Sequence, residues 1–144
     1  MRRLLKTSQV VGLTKKNGVN MSKTQYEMVR EFTKAMGQPL DQLCGFDLGY
    51  DAGLESMRFK LIIEELHEFT DATDKENLLK ELADLLYVVY GYAATYGLPI
   101  DEAFKRVHES NMSKLGDDGK PLYREDGKVL KGPNYKQADL GDLV

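Results

Sequence analysis

The sequence is poor in cysteine and in long apolar runs, and both shortages narrow the possible functions. Its one cysteine, Cys44, cannot form an internal disulfide, so we expect a protein of the reducing cytoplasm. No window approaches the run of about 18 apolar residues that a membrane-spanning helix needs. Charged residues make up 30% of the 144 residues and hydrophobic residues 42%, which is typical of one soluble globular domain.

Acidic residues are absent from the first 20 positions, which contain five basic residues: Arg2, Arg3, Lys6, Lys15 and Lys16. The rest of the chain therefore carries a net charge of −8, against −3 for the whole. An acidic body argues against stable nucleic-acid binding, which depends on basic surface. The leader has no apolar stretch or cleavage signature of a targeting peptide. We expect residues 1–20 to form a flexible basic leader and residues 21–144 to form the folded domain.

Apolar residues recur at helical spacing in four segments, so we expect an all-α fold. The predicted helices run from a cap at Ser22 or Thr24 to Met36, from about Leu54 to Ala72, from Lys75 to Tyr96 and from Asp101 to about Ser110, with Ala103, Phe104 and Val107 facing inward. The centre of the third is apolar almost all round, which predicts burial by the rest of the chain or by another subunit. Turn signals at Asp118-Gly119 and Asp126-Gly127 predict a short C-terminal hairpin or an irregular tail.

Five carboxylates lie on the second and third predicted helices: Glu64, Glu65, Glu68, Glu81 and Asp84. Residues three or four apart share a helix face, and a short turn makes the two helices antiparallel neighbours, so their acidic faces can meet. Unpaired carboxylates beside an apolar core are too costly to leave uncompensated. The pattern therefore predicts a site for a hard divalent cation such as Mg²⁺, which prefers oxygen ligands.

Two other interpretations of these acids remain open from the residues alone. They can form a solvated helix face, with Lys60–Glu64 and Lys80–Asp84 as ion pairs one turn apart. Glu64 and His67 also have the spacing of a di-iron bundle ligand pair, but that site needs two such pairs. The only other histidine, His108, has Lys105 three residues before it. We therefore expect His67 at a surface or an interface.

The residues resemble the MazG-type all-α nucleoside triphosphate pyrophosphohydrolases, which are related to phosphoribosyl-ATP pyrophosphohydrolase and the dimeric dUTPases. Their signature of Glu-x-x-Glu followed by Glu-x-x-Asp is met by residues 65–68 and 81–84. The segments 107–115 and 127–135 extend the resemblance. It implies that Mg²⁺, for which Mn²⁺ substitutes, is held by all five carboxylates. It also implies that substrate is bound by Asn111 and Lys114, with weaker matches at Lys128, Lys131 and Tyr135, which would close a loop over the nucleotide.

The implied reaction converts a nucleoside triphosphate and water to the monophosphate and pyrophosphate, by attack at the α-phosphorus. Glu64 or Glu65 would be the catalytic base, and the antiparallel bundle would be completed by a homodimer or tetramer. Two alternatives remain: a non-catalytic nucleotide- or metal-binding helical module, and hydrolysis of phosphoribosyl-ATP. We expect residues 26–59 to recognise the base, although no motif labels them.

Overall fold

A computed structural model describes residues 22–144, and this part of the chain is helical without a strand. The elements are α1 (Gln25–Ala35), α2 (Ala52–Thr70), α3 (Lys75–Thr95), α4 (Ile100–Met112) and a 3₁₀ turn, Gly141–Leu143. The all-α prediction is confirmed. A single isolated antiparallel bridge joins Tyr123 to Val129 around the predicted turn at Asp126-Gly127. The predicted leader, residues 1–20, lies outside the described residues.

Side-chain caps set where three of the four helices begin. Thr24 forms a capping box with Glu27 at the start of α1: its hydroxyl accepts from the Glu27 amide, and the Glu27 carboxylate accepts from the Thr24 amide. Asp74 is the N-cap of α3, as predicted, and its carboxylate accepts a hydrogen bond from the amide of Asn77. Asp51 accepts from the amide of Leu54, so α2 begins at Ala52, slightly before the predicted start.

The third helix is the centre of the fold, because it packs against both α1 and α2. A four-residue turn, residues 71–74, brings α3 back antiparallel to α2. At one end of this pair, the hydroxyl of Tyr92 donates to the carboxylate of Glu55 over 3.1 Å. The acidic residues of the two helices consequently lie together at the other end.

The hydrophobic core of the single chain is small. Within residues 22–144 the buried hydrophobic residues are Val29, Ala93, Ala94 and Tyr96. On α3, Leu79 is 69% exposed and Leu86 is 53% exposed. The chain therefore does not itself cover the apolar surface of its central helix.

The prediction that α4 turns Phe104 and Val107 inward is wrong for the described chain. Phe104 is 69% exposed, Val107 is exposed and Ala103 is only half-buried. No residue of α4 is buried, because no helix among the described residues packs closely over that face. A hydrogen bond of 2.6 Å from the Thr24 hydroxyl to Asp101 connects the start of α4 to the start of α1.

The C-terminal tail is bonded to α4 and to the residues just after it at several places, among them a bond of 2.9 Å from the Lys136 amide to the Ser113 hydroxyl. Arg106 forms a two-pronged ion pair with Asp142. The amide of Gly132 donates to the carbonyl oxygen of Lys114 over 2.9 Å. A Cβ atom on Gly132 would lie 2.6 Å from that oxygen and 2.5 Å from the carbonyl oxygen of Leu115, so this close approach requires glycine.

Each helix in the described part of the chain is too short or too polar to cross a bilayer.

Candidate active site

Three carboxylates from α2 and α3 converge into an acidic cluster, formed by Glu65, Glu68 and Glu81. One oxygen from each residue lies within 4.8 Å of an oxygen from each of the other two. Glu65 and Glu68 are one turn apart on α2, and Glu81 faces them from α3 because the two helices are antiparallel neighbours. The sequence prediction that the two acidic faces meet is therefore correct for these three residues.

Glu81 is the buried member of the cluster, with 5% of its surface exposed. The side-chain amide of Asn77 donates to its Oε1 atom over 2.7 Å, and the ammonium of Lys80 lies 3.1 Å from both of its oxygens. These bonds compensate part of the cost of burying a carboxylate and fix its orientation. Glu68, by contrast, is exposed, so the cluster opens toward solvent on the α2 side.

The pKa of Glu65 reflects the excess of negative charge in the cluster. Burial raises the pKa of its carboxyl, and the nearby charges of Glu68, Asp84 and Glu81 raise it further. Lys80 opposes this shift only weakly. A bound cation would relieve the repulsion between these carboxylates.

Asp84 and Glu64 lie outside the three-residue cluster, in different ways. Asp84 is half-buried one turn from Glu81, and it pairs with the ammonium of Lys80 at 2.8 Å. Its charge acts on Glu65, so it borders the cluster. Glu64 is exposed on α2, and its side chain makes no hydrogen bond or ion pair with any residue from 22 to 144. Its predicted roles as ligand and base stay predictions.

The donor set of the cluster fits Mg²⁺. All the converging groups are carboxylate oxygens, one of them is buried and held in place, and the open side leaves room for waters or phosphate oxygens. Mg²⁺ is typically bound by one or two carboxylates, several waters and substrate phosphates. His67 is exposed and lies outside the cluster, so the arrangement does not favour a di-iron site.

The residues predicted to bind substrate form a second group at the end of α4. The ammonium of Lys114 donates to the side-chain oxygen of Asn111 over 2.7 Å. The ammonium of Lys131 lies 4.3 Å from the ring centre of Tyr135, and the Gly132 contact brings this pair to Lys114. Lys128 is exposed in a separate turn that Arg124 begins. Within residues 22–144, no hydrogen bond or ion pair joins this group to the acidic cluster.

Two residues near the site were missed by the sequence reasoning. Asn77 orients Glu81 from one turn before it, a spacing that the sequence shows but that does not distinguish a functional amide from a surface one. Arg58 is buried, although arginine is rarely buried without a partner. Its position on the same stripe of α2 as Leu61 and Glu65 was the available signal.

Comparison of the sequence with known proteins identifies the family of this chain. The model of the phosphoribosyl-ATP pyrophosphohydrolase family matches residues 29–111, which is more than half of the chain. Uncharacterized protein L479 of Acanthamoeba polyphaga mimivirus is 29% identical over 113 residues, or 75% of this chain. The chain spans 42% of the length of that viral protein. Because the family match runs from α1 into α4 and includes all five acids, the chain belongs to the phosphoribosyl-ATP pyrophosphohydrolase family, part of the MazG-like all-α nucleoside triphosphate pyrophosphohydrolase superfamily.

Proposed function

We propose that this protein is a Mg²⁺-dependent hydrolase that converts ribo- or deoxynucleoside triphosphates to the monophosphate and pyrophosphate. The observation that carries the proposal is the convergence of Glu65, Glu68 and Glu81 within a segment that matches a pyrophosphohydrolase family. Three carboxylates of this kind suit a reaction in which charge must be neutralised on phosphate oxygens.

The proposed roles follow from the position of each acid. Glu65, Glu68, Glu81 and Asp84 would hold Mg²⁺, and Mn²⁺ would substitute because it accepts the same oxygen ligands. When bound, the metal would neutralise charge on the α-phosphate and lower the pKa of the attacking water. The side-chain amide of Asn77 keeps Glu81 in place for this role.

Glu65 is the stronger of the two proposed catalytic bases. Its half-buried carboxylate lies in the cluster and needs to give only one oxygen to the metal, so its second oxygen would take the proton from the attacking water. Glu64 is exposed, about 100° around the helix from Glu65, and lies outside the cluster. A Glu65→Gln variant should therefore lower turnover more than Glu64→Gln does, and the reverse order would contradict this assignment.

Asn111 and Lys114 are proposed to bind the phosphates of the substrate, with Lys131 and Tyr135 closing over the nucleotide. In the described chain the ammonium of Lys114 donates to the neutral side-chain oxygen of Asn111, and a negatively charged phosphate oxygen would be a stronger acceptor for it. The same tail carries Lys128, which we expect to contribute to closure.

We propose that the active form is a homodimer or a tetramer. The support is the uncovered apolar surface of α3, where Leu79 and Leu86 are exposed in the single chain. Leu82 lies between them at helical spacing and is exposed as well, and an apolar stripe of this kind suits an association site. The acidic body and the absence of a predicted membrane segment also lead us to expect a cytoplasmic enzyme without stable nucleic-acid binding.

Pyrophosphate release from a panel of ribo- and deoxynucleoside triphosphates, with Mg²⁺, Mn²⁺ or EDTA, tests the activity. Metal-dependent release of monophosphate and pyrophosphate supports the proposal. Glu68→Ala or Asp84→Ala should abolish turnover while the circular dichroism spectrum stays unchanged. Near-normal rates in either variant would overturn the site assignment.

Phosphoribosyl-ATP is the second candidate substrate, because the family model that matches residues 29–111 is named for its hydrolysis. Including it in the panel separates the two reactions directly. A folded protein that binds Mg²⁺ but releases pyrophosphate from none of these compounds would instead be a nucleotide- or metal-binding module.

A further inference from the structure

Arg58 is buried in α2 without an acidic partner. Only 6% of its surface is exposed, and no carboxylate of residues 22–144 lies within 4.0 Å of its guanidinium. One hydrogen bond holds it, from Nη2 to the side-chain oxygen of Gln38 over 3.2 Å. Its Nε atom is buried and has no partner in the described chain. A buried donor in this state needs an acceptor that the single chain does not supply.

The guanidinium lies at a cavity of about 140 Å³ between α1, α2 and α3. Apolar and aromatic side chains form most of its wall, and Phe32 and Tyr87, which meet edge to face at 5.6 Å, are both partly exposed at its rim. Cavities of about 150 Å³ accept a benzene-sized ring. A single six-membered ring therefore fits inside this cavity, while part of a fused purine would extend beyond it.

The polar wall of the cavity consists mainly of hydrogen-bond donors. Arginine has five N–H donors and no acceptor. The carbonyl oxygen of Gln38 already accepts from Arg58, so its amide nitrogen is left as a donor. The Thr33 hydroxyl donates to the carbonyl of Val29, which leaves its oxygen as an acceptor in the same wall. An occupant must present acceptors, such as carbonyl oxygens, where it meets Arg58 and Gln38.

The cavity and the acidic cluster lie on the same faces of two helices. Arg58 precedes Glu65 by seven residues on α2, which is two turns and about 10 Å. On α3, Val88 of the cavity wall follows Glu81 by the same interval. The Nη1 atom of Arg58 lies 3.6 Å from the position of a Cβ on Gly91, in the same wall. A ribose and one base can cover this distance from an α-phosphate held at the cluster.

We propose that this cavity binds the base of the nucleotide, and that Arg58 with Gln38 selects a single-ring base with a carbonyl oxygen at this edge, uracil or thymine. The inference rests on the proposed function and names its substrate class. The edge that distinguishes these bases is C4, where uracil and thymine have a carbonyl oxygen and cytosine has an amino group. With this edge against Arg58, the cytosine amino group, like that of adenine, would face donors and leave both sides unsatisfied. Phe32 and Tyr87 offer faces or edges against which the ring can pack.

Substituting Arg58 by methionine tests the selection, because methionine keeps much of the side-chain length and removes the donors. We expect the wild-type protein to have a higher kcat/KM for dUTP and dTTP than for dCTP and dATP, with Mg²⁺ present. Arg58→Met should reduce that preference about tenfold or more. Gln38→Leu, at an exposed position, should reduce the preference for dUTP and dTTP by a smaller factor. This second variant tests the proposal if Arg58→Met does not fold. Arg30→Met is the matched control, because Arg30 pairs with Asp41 at the surface.

Calorimetric binding of α,β-imido-dUTP and α,β-imido-dCTP, with Mg²⁺, separates the two proposals. A preference for the uracil analogue that Arg58→Met abolishes, without turnover of any substrate, would support the base site and overturn the hydrolase. Turnover without a pyrimidine preference would overturn the base site alone. Equal loss for all bases together with a change in oligomer mass would also overturn it, by showing that Arg58 pairs with a carboxylate of a second copy.

Discussion

Lys80 and Asp84, one turn apart on α3, form an ion pair with a nitrogen–oxygen distance of 2.8 Å. The same ammonium lies 3.1 Å from both oxygens of Glu81, and these two carboxylates raise the pKa of Lys80. Lys80 therefore supplies positive charge to two of the acids that we propose as metal ligands. A metal ion and this ammonium would compete for the same oxygens.

Replacing Lys80 by methionine should tighten metal binding. Since the ammonium is 63% exposed, the gain should be modest, up to about fivefold in affinity. Titration with Mn²⁺, followed by electron paramagnetic resonance of the free ion, measures it. Lys75→Met, at an exposed position at the start of the same helix, is the control. Unchanged or weaker Mn²⁺ binding in Lys80→Met would show that Lys80 does not compete.

Glu81→Gln should lower kcat/KM by more than about 100-fold. Loss of a residue that only orients a metal ligand lowers metal affinity or activity about 10–100-fold. Glu81 is itself a proposed ligand, and it is the buried acid of the cluster, bonded to both Asn77 and Lys80. The assay is pyrophosphate release, with circular dichroism to confirm folding. Glu76→Gln, in the exposed first turn of α3, should keep wild-type activity. An active Glu81→Gln enzyme would exclude Glu81 as a ligand.

Adding Mg²⁺ should raise the melting temperature, and EDTA should reverse the rise. A ligand that binds only the folded state stabilises it by about 2.7 kcal/mol at 100 times its Kd. The metal would also relieve the repulsion that raises the pKa of Glu65. Differential scanning fluorimetry over a Mg²⁺ series measures the shift. The Glu81→Gln variant should show little of it, and an equal shift in both proteins would place the metal elsewhere.

The docking of the tail on α4 should weaken in acid. Arg106 lowers the pKa of Asp142 below the ordinary aspartate value of about 3.9. The ion pair therefore contributes fully above that ordinary value and is lost as the pH falls through the lowered pKa. The Leu143 amide resonance, followed by NMR from about pH 6 to pH 2, reports this change. Asp142→Asn should remove the titration, and a titration that persists in this variant would assign it to another group.

Gly132→Ala should detach the tail from the end of α4. Its methyl group would overlap the carbonyl oxygens of Lys114 and Leu115, and such overpacking costs about 1–3 kcal/mol. Faster tryptic cleavage after Lys131 and Lys136 measures the detachment. Gly141→Ala is the matched control, since its Cβ would meet only the Asp139 carboxylate at an ordinary 3.5 Å. Equal cleavage rates in both variants would contradict the proposed constraint.

The helices were predictable because their local signals agree with their packing. Thr24 and Asp74 cap the helices as expected, and α3 ends at Thr95, one residue before the predicted Tyr96. The meeting of Glu65, Glu68 and Glu81 also follows from helix periodicity and a short connecting turn. At these positions the local sequence pattern was sufficient to predict the structure.

The surroundings of the helices were less predictable, because they depend on which faces find a partner. Phe104 and Val107 have helical spacing but lie exposed, since periodicity identifies an apolar face without showing what covers it. Glu64 and Glu65 are adjacent in sequence, yet only the latter joins the cluster. The bond from Arg58 to Gln38 joins residues 20 positions apart, which no local pattern reveals.

The small core has a consequence for how the protein behaves in a cell. Among residues 22–144 only four hydrophobic residues are buried, so the single chain gains little free energy from folding alone. If association covers α3, folding and assembly become one event whose equilibrium depends on total protein concentration. We then expect the midpoint of thermal unfolding to fall on dilution. At low expression a larger share of the chains would be unfolded and accessible to proteases. We therefore expect the activity in the cell to rise more than proportionally with the rate of synthesis.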